Sequence, residues 1–277
     1  MQQLGIIGCG YVGSVVSRLW CQAGASVQVT TTSPERLPEL NAIASEAVVL
    51  RGDDRSALSE FLRNCQIILL SIGAPNAKAY EATYLNTART MAAVLPECPN
   101  VEQVIFTSSY SLYGDRQGAW VDEDTEISPT TPNAEIMAAT ERSLLAAATP
   151  ELKVCILRLG GIYGPGREIS KIFSRIAGQT RPGDGREASN WVHLDDIVGA
   201  IDFARDRQLG GIYNLVNSNP LTVKQVIDLA LSTHDLPLVT WDASQPSTRP
   251  YNIKVSNQKL RNAGYIFQHP TIGDCDC

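Results

Sequence analysis

No apolar run in the 277 residues approaches the roughly 20 that a membrane-crossing helix needs, so no transmembrane anchor is expected. No basic excess is present either. Lys and Arg number 23 against 29 Asp and Glu, the net charge is −6, and the basic residues are scattered rather than gathered into a stripe, which argues against nucleic acid as a partner. Histidine is scarce, with three residues at 193, 234 and 269, and none of the seven cysteines stands in a Cys-x-x-Cys pair. An odd cysteine count without such pairs fits reduced thiols better than a disulfide frame. The closing Cys275-Asp276-Cys277 could chelate a soft metal, but a chain end of this kind reads more simply as frayed, and no metal is assigned. A basic, cleavable leader is missing at the N-terminus, so the expected location is cytoplasmic and the expected protein soluble, without a membrane partner.

Against these absences stands 44% hydrophobic content, enough for one large or two small cores. Short β-branched runs alternate with longer helical patterns, the layout of a parallel sheet with helical crossovers. Leu4 to Ile7, Ser26 to Thr30, Ala47 to Leu50, Gln66 to Leu70, Gln103 to Thr107 and Leu152 to Leu157 each read as buried strands, and Tyr11 to Ala23 as a helix. The expected fold is α/β, a doubly wound parallel Rossmann sheet over residues 1–160 with a smaller C-terminal substrate lobe over 161–277. Residues 190–216 are expected to return in part to the sheet. Gly164-Pro165-Gly166 and Arg181-Pro182-Gly183-Asp184-Gly185 mark the change to irregular loops. A strand Ile212 to Val216 and a helix Val223 to Leu231 capped by Thr222 are read from apolar spacing. Neither a 20 to 50 residue repeat nor a low-complexity segment is found.

The strongest motif is Gly8-Cys9-Gly10-Tyr11-Val12-Gly13, placed directly after the first strand and opening the first helix. Its glycines suit a tight turn, close approach of backbone to a pyrophosphate and packing of helix on strand, while the helix N-terminus offers amides and partial positive charge. A dinucleotide site follows. Binders of NAD(H) present an acidic residue about 20 residues later, and this chain presents Thr30-Thr31-Thr32-Ser33 with Arg36 close behind, so NADP(H) is favoured and NAD(H) kept open. Asp53 and Asp54 are candidates to face the adenine, although a turn-forming pair reads equally well. Ser71 and Gly73, after the fourth strand, would let backbone pass beside the cofactor.

Several further landmarks occur in order: Asn86-x-x-x-Thr90, Thr107-Ser108-Ser109 with Tyr113-Gly114, Leu157-Arg158, Ile162-Tyr163-Gly164-Pro165-Gly166, Val192-His193-Leu194-Asp195-Asp196 and Tyr213-Asn214. With the glycine turn they make the chain resemble the extended or atypical short-chain dehydrogenase/reductases, the NAD-dependent epimerase/dehydratase family, over nearly its whole length. One departure is Ile7, where the extended form of the family writes the first glycine of Gly-x-x-Gly-x-x-Gly.

The resemblance implies chemistry by Ser, Tyr and Lys beside the nicotinamide, with an Asn holding a relay water. Ser109 and Asn86 match two of these positions. Counting back from Glu141, the Tyr and Lys positions hold Asn133 and Met137. An amide does not titrate near neutral pH and a thioether carries no charge, so the usual relay is absent. Glu135 and Asp115 remain as acids that could substitute, while Tyr113 and Tyr163 stand at positions read as structural. In the substrate lobe Arg249, Arg186 and Tyr163 are the candidates; Arg249-Pro250 resembles a pair that touches sugar-nucleotide diphosphate in relatives, but the second Arg expected four residues before His193 is Ser189, so a nucleotide sugar is left open and not favoured. His193 is expected to brace the sheet edge, with Asp195 capping the helix that begins near Asp196.

Three readings follow. The first is an NADP(H)-binding epimerase/dehydratase-like oxidoreductase acting on a small carbonyl or sugar-like substrate, with a homodimer left open. The second is a catalytically impaired NADP(H)-binding sensor or regulatory protein. The third is an interaction protein on a Rossmann scaffold, which the intact glycines disfavour.

Overall fold

Short runs of β-branched and other apolar residues form the centre of the structure, a computed structural model that describes residues 2–273. The first five strands are β1 (Gln3–Ile7), β2 (Ser26–Thr31), β3 (Glu46–Val49), β4 (Ile67–Leu70) and β5 (Gln103–Ser109). With Lys153–Leu159 and Gly211–Leu215 they make one seven-stranded sheet in the order β3, β2, β1, β4, β5, Lys153–Leu159, Gly211–Leu215. Neighbours from β3 to β5 run parallel, with Leu4 opposite Val27 on one side and Ile67 on the other. This is the doubly wound Rossmann order, in which the sequence of strands reverses between β1 and β4. A ligand crevice is expected at that reversal, outside the carboxyl ends of the strands.

Strands β1 and β4 carry Leu4, Ile6 and Ile67 to Leu70 without exposure, as strands covered on both faces should. The expectation of burial fails for β3. Its Glu46 is exposed and Val49 is 45% exposed, because an outer strand has a neighbour on one side only. The helix α1 (Tyr11–Gln22) turns Val16 and Trp20 inward, and the Trp20 indole donates to Asp202 at 2.9 Å. Among the described residues no helix is long and apolar enough to cross a membrane.

The chain divides into two compact units, and the division is crossed several times. The first contains residues up to Ser109 with Thr131–Leu157 and Val198–Ile212. The second contains Tyr110–Thr130, Arg158–Ile197 and the chain from Tyr213 onward. Of the stretch expected to return to the sheet, Gly211–Leu215 joins it, whereas Trp191–His193 pairs with Gly161–Tyr163 in a separate two-stranded ribbon. In the second unit the helix Val223–Ser232 starts at Thr222 as expected. The Thr222 hydroxyl accepts the Gln225 N–H at 3.2 Å and the Gln225 side chain accepts the Thr222 N–H at 2.8 Å, a reciprocal cap. The tail cysteines 275 and 277 lie outside the described residues.

Candidate functional site

The turn after β1 uses its three glycines for three different reasons. Gly8 has φ +92°, and a Cβ there would stand 2.4 Å from the Ser71 carbonyl oxygen at the end of β4. A Cβ on Gly13 would stand 2.5 Å from the Gly8 carbonyl oxygen, so only glycine lets α1 sit this close to the turn. Gly10 is different: a Cβ there would meet nothing within 4 Å. It is the exposed N-cap of α1, and no acidic residue occupies the first turn of that helix. The first amides of a helix have no acceptor within it, and the dipole adds partial positive charge at this end. Open space over such an end, at the reversal between β1 and β4, fits the pyrophosphate of a dinucleotide. The Cys9 and Val12 side chains at this turn are buried and face away from that space.

Thr30 holds the turn in place. Its hydroxyl accepts the Gly8 N–H and its carbonyl accepts the Cys9 N–H, both at 3.1 Å. Composition gives no hint of this role, because the partners are 22 residues apart. Beyond β2, the buried Thr31 hydroxyl accepts the Ser33 N–H at 3.1 Å, while Thr32 is exposed and Ser33 half-buried. The Arg36 guanidinium reaches back to the glycine turn and donates to the Cys9 carbonyl at 2.9 Å, with Glu39 at 3.2 Å on its other side. Thus a residue chosen for its place in the sequence does lie beside the turn. Asp54 caps the helix Arg55–Leu62 by accepting the Ala57 N–H at 3.0 Å, and Asp53 pairs with Arg51 at 3.2 Å. Both contacts belong to turn and cap chemistry. Gly73, like Gly10, has open space where a Cβ would point.

Burial pushes the Cys9 thiol up to about 11, outweighing the nearby Arg36 charge that favours the thiolate. A raised folded value favours the protonated form, so Cys9 should stay a thiol through pH 9 and behave ordinarily only once the chain unfolds. Alkylation at pH 9 followed by mass spectrometry is expected to label Cys9 in denaturant and spare it in the native protein. Equal labelling would contradict the burial.

At the far end of β5 the strand alternation separates two serines. Ser108 is buried and donates to Glu141 at 2.5 Å, while Ser109 takes the other face and keeps partial exposure. Asn86 closes a single π-helical turn, Ala82–Asn86, and its carbonyl accepts the Thr90 hydroxyl at 2.9 Å. Such turns often mark functional positions. Asn133 and Met137 lie one turn apart on the helix Pro132–Leu145, which Thr131 caps through the Ala134 N–H. Met137 is 3% exposed, and Asn133 is half-buried.

In the second unit, Tyr110 opens a short 3₁₀ turn rather than extending the strand, and burial drives its hydroxyl above the ordinary phenol range. Tyr113 donates to Asn214 at 2.8 Å beneath the Arg158 guanidinium, 4.8 Å from the ring, in an internal role. Tyr163 is buried against Ile169, Val226 and Trp191. Arg186 is 86% exposed beside Asp184 at 3.4 Å. Arg249 lies half-buried 6.0 Å from the Tyr251 ring, and its Nε is buried without a hydrogen-bond partner. The expected cap is corrected: the helix begins at Leu194, so Asp195 lies inside it, and the His193 Nδ1 accepts the Asp195 N–H at 3.1 Å. A histidine in this place caps as Ser or Asp usually does, since its ring nitrogen is the acceptor.

Comparison with known proteins agrees with this architecture. The family model described as NAD dependent epimerase/dehydratase family matches residues 6–215. Protein YeeZ of Escherichia coli (strain K12) is 30% identical over 226 residues, covering 78% of this chain and 77% of YeeZ. A functionally unknown conserved protein from Silicibacter pomeroyi superposes with TM-score 0.77 at 25% identity, covering 98% of this chain and 95% of its own. MoeE5 in complex with UDP-glucose and NAD superposes with TM-score 0.77, covering 96% and 93%; at 21% identity that likeness is one of fold.

Proposed function

The chain belongs to the NAD-dependent epimerase/dehydratase family, and from that premise we propose that it is an NADP(H)-dependent oxidoreductase acting on a small carbonyl or sugar-like substrate. The observation that carries the reading is the open space within 4 Å of a Cβ placed on Gly10, at the N-terminus of α1. The preference for the 2′-phosphate rests on Arg36 beside the turn and on hydroxyls in place of a carboxylate from Thr30 to Ser33. Glu39 does not prevent this, because an exposed ion pair is worth at most about 1 kcal/mol and a phosphate can displace it.

When bound, the nicotinamide supplies or accepts a hydride at a carbon bearing oxygen. The half-exposed Ser109 hydroxyl at the end of β5 holds that oxygen by a hydrogen bond, and Asn86 orients a water. Buried Met137 brings no ammonium to the site, so proton transfer falls to a weaker donor or to water, and turnover is slow. Structures such as MoeE5 with UDP-glucose make nucleotide sugars a class to include in any substrate panel. The buried Met137 also favours a second reading, a non-catalytic NADP(H)-binding sensor or regulatory protein.

Fluorescence titration with NADP(H) and NAD(H), followed by a search for NADPH oxidation across carbonyls and nucleotide sugars, separates the two. Binding with turnover supports the enzyme; binding without turnover on any member leaves the sensor. Arg36→Ala is expected to weaken NADP(H) by about 10- to 100-fold, equivalent to the about 1.5–3 kcal/mol of a charged hydrogen bond, and to leave NAD(H) nearly unchanged. Equal loss for both nucleotides would remove Arg36 from the ribose site.

A further inference from the structure

The second unit holds a side-chain cluster unrelated to the nucleotide cradle. His193, Asp195 and His269 come together from the end of the strand Trp191–His193, the first turn of the helix Leu194–Asp206 and the segment near the end of the described chain. The Asp195 Oδ2 stands 3.4 Å from the His193 Nδ1 and 3.4 Å from the His269 Nε2. All three donor atoms lie within 4.8 Å of one another. Ligands about 2.0–2.1 Å from a tetrahedral ion stand about 3.3–3.4 Å apart, so the two distances to Asp195 are those of two edges of such a site.

We propose that His193, Asp195 and His269 bind one divalent transition-metal ion of the zinc class, with the remaining position left to water or a small ligand. Two imidazoles and one carboxylate are a donor set that zinc accepts in three-ligand sites. Their backbone positions are fixed independently, and the rings turn from their stack to face one ion. The strand and the helix start hold His193 and Asp195. His269 is delivered by a separate anchor, in which the Asp196 carboxylate accepts the Gln268 N–H at 2.7 Å and the His269 N–H at 2.9 Å. The His193 ring has its Nε2 against Gly164, where a Cβ would come within 3.1 Å, so Nδ1 is the nitrogen turned to Asp195.

The same Nδ1 accepts the Asp195 N–H, and the ion takes the place of that hydrogen bond. The two imidazole rings are 3.7 Å apart between centroids, tilted by 38°. His193 is 1% exposed and His269 12%, against 50% for Asp195, so an ion would be shielded on the histidine side and reachable past the carboxylate. In the sequence the two histidines are separated by 75 intervening residues, with none of the short spacing that marks a metal motif.

The test begins with protein stripped by a chelator and titrated with Co²⁺ alone. The expected result is visible absorption of a four- or five-coordinate site, saturating at one ion per chain and reversed by Zn²⁺. His269→Gln and the near-isosteric Asp195→Asn should each weaken binding by at least about tenfold, a loss that even outer-shell partners of a metal cause. Their melting temperatures in chelator should match the parent. Cys275→Ser with Cys277→Ser should bind as the parent does. Absence of the absorption, parental binding by both ligand variants, or its loss in the cysteine variant overturns the proposal. Nucleotide titration of the same stripped protein reads the cofactor site independently, so failure of one leaves the other standing.

Discussion

Gly10→Val is expected to leave the fold intact and to weaken nicotinamide-nucleotide binding by at least about 100-fold. Nothing lies within 4 Å of the added Cβ, so that atom meets no clash with the protein. Replacing glycine at an N-cap by a β-branched residue costs about 1 kcal/mol of helix stability, too little to unfold a domain of this size. The isopropyl group instead occupies the volume through which a pyrophosphate approaches the helix amides. Two hydrogen bonds to charged oxygens, lost together, correspond to about 3 kcal/mol or more, hence the expected factor. Fluorescence titration and a thermal melt on the same preparation measure both halves. Gly8→Ala is the useful contrast: its φ of +92° and the Ser71 carbonyl 2.4 Å away make it a folding variant, expected to lower the melting temperature. Parental affinity in Gly10→Val would place any nucleotide elsewhere.

The second large effect concerns proton transfer. Placing a phenol and an ammonium at the two positions proposed to lack them, by Asn133→Tyr with Met137→Lys, is expected to raise turnover of an accepted substrate by about 10²- to 10⁴-fold, the usual worth of a positioned general acid. Both positions share one face of the helix Pro132–Leu145, a turn apart, and Asn133 is half-buried. Met137→Lys alone should lower stability by about 1–3 kcal/mol, since its ammonium enters a site that is 3% exposed. Bound nucleotide should return part of that loss by ligating the new charge. Steady-state rates, with melts in the presence and absence of NADPH, separate these effects. A double variant that folds, binds nucleotide and turns over no faster would show that the missing pair does not limit the chemistry.

The central strands were legible because each is a short run of residues that bury well on both faces, and β1, β2, β4 and β5 lie within two residues of where the β-branched runs stand. The depth of β3 was not, since Ala47 to Leu50 is as apolar as its neighbours and only its edge position exposes Val49. The helix start at Leu194 was not legible, because Asp195 is of the usual capping type whereas the capping acceptor is the His193 imidazole. The π-helical turn at Asn86 has no composition of its own, because one residue beyond the α-helical count looks like any other helical stretch.

What the sequence by itself determined is local in origin: glycines at 8, 10 and 13 after a strand, a helix start free of acid, a hydroxyl-rich segment after the second strand, and family landmarks in order. Each single motif among these is written within a dozen residues, the range over which backbone freedom and helix periodicity act. Only the tertiary structure decided that Thr30 secures the turn, that Arg36 reaches Cys9, and that His269 meets His193 and Asp195. Those contacts join residues 22, 27 and 76 positions apart, and no local preference specifies them. They exist because parallel strands and their crossovers bring distant segments side by side once the core is packed.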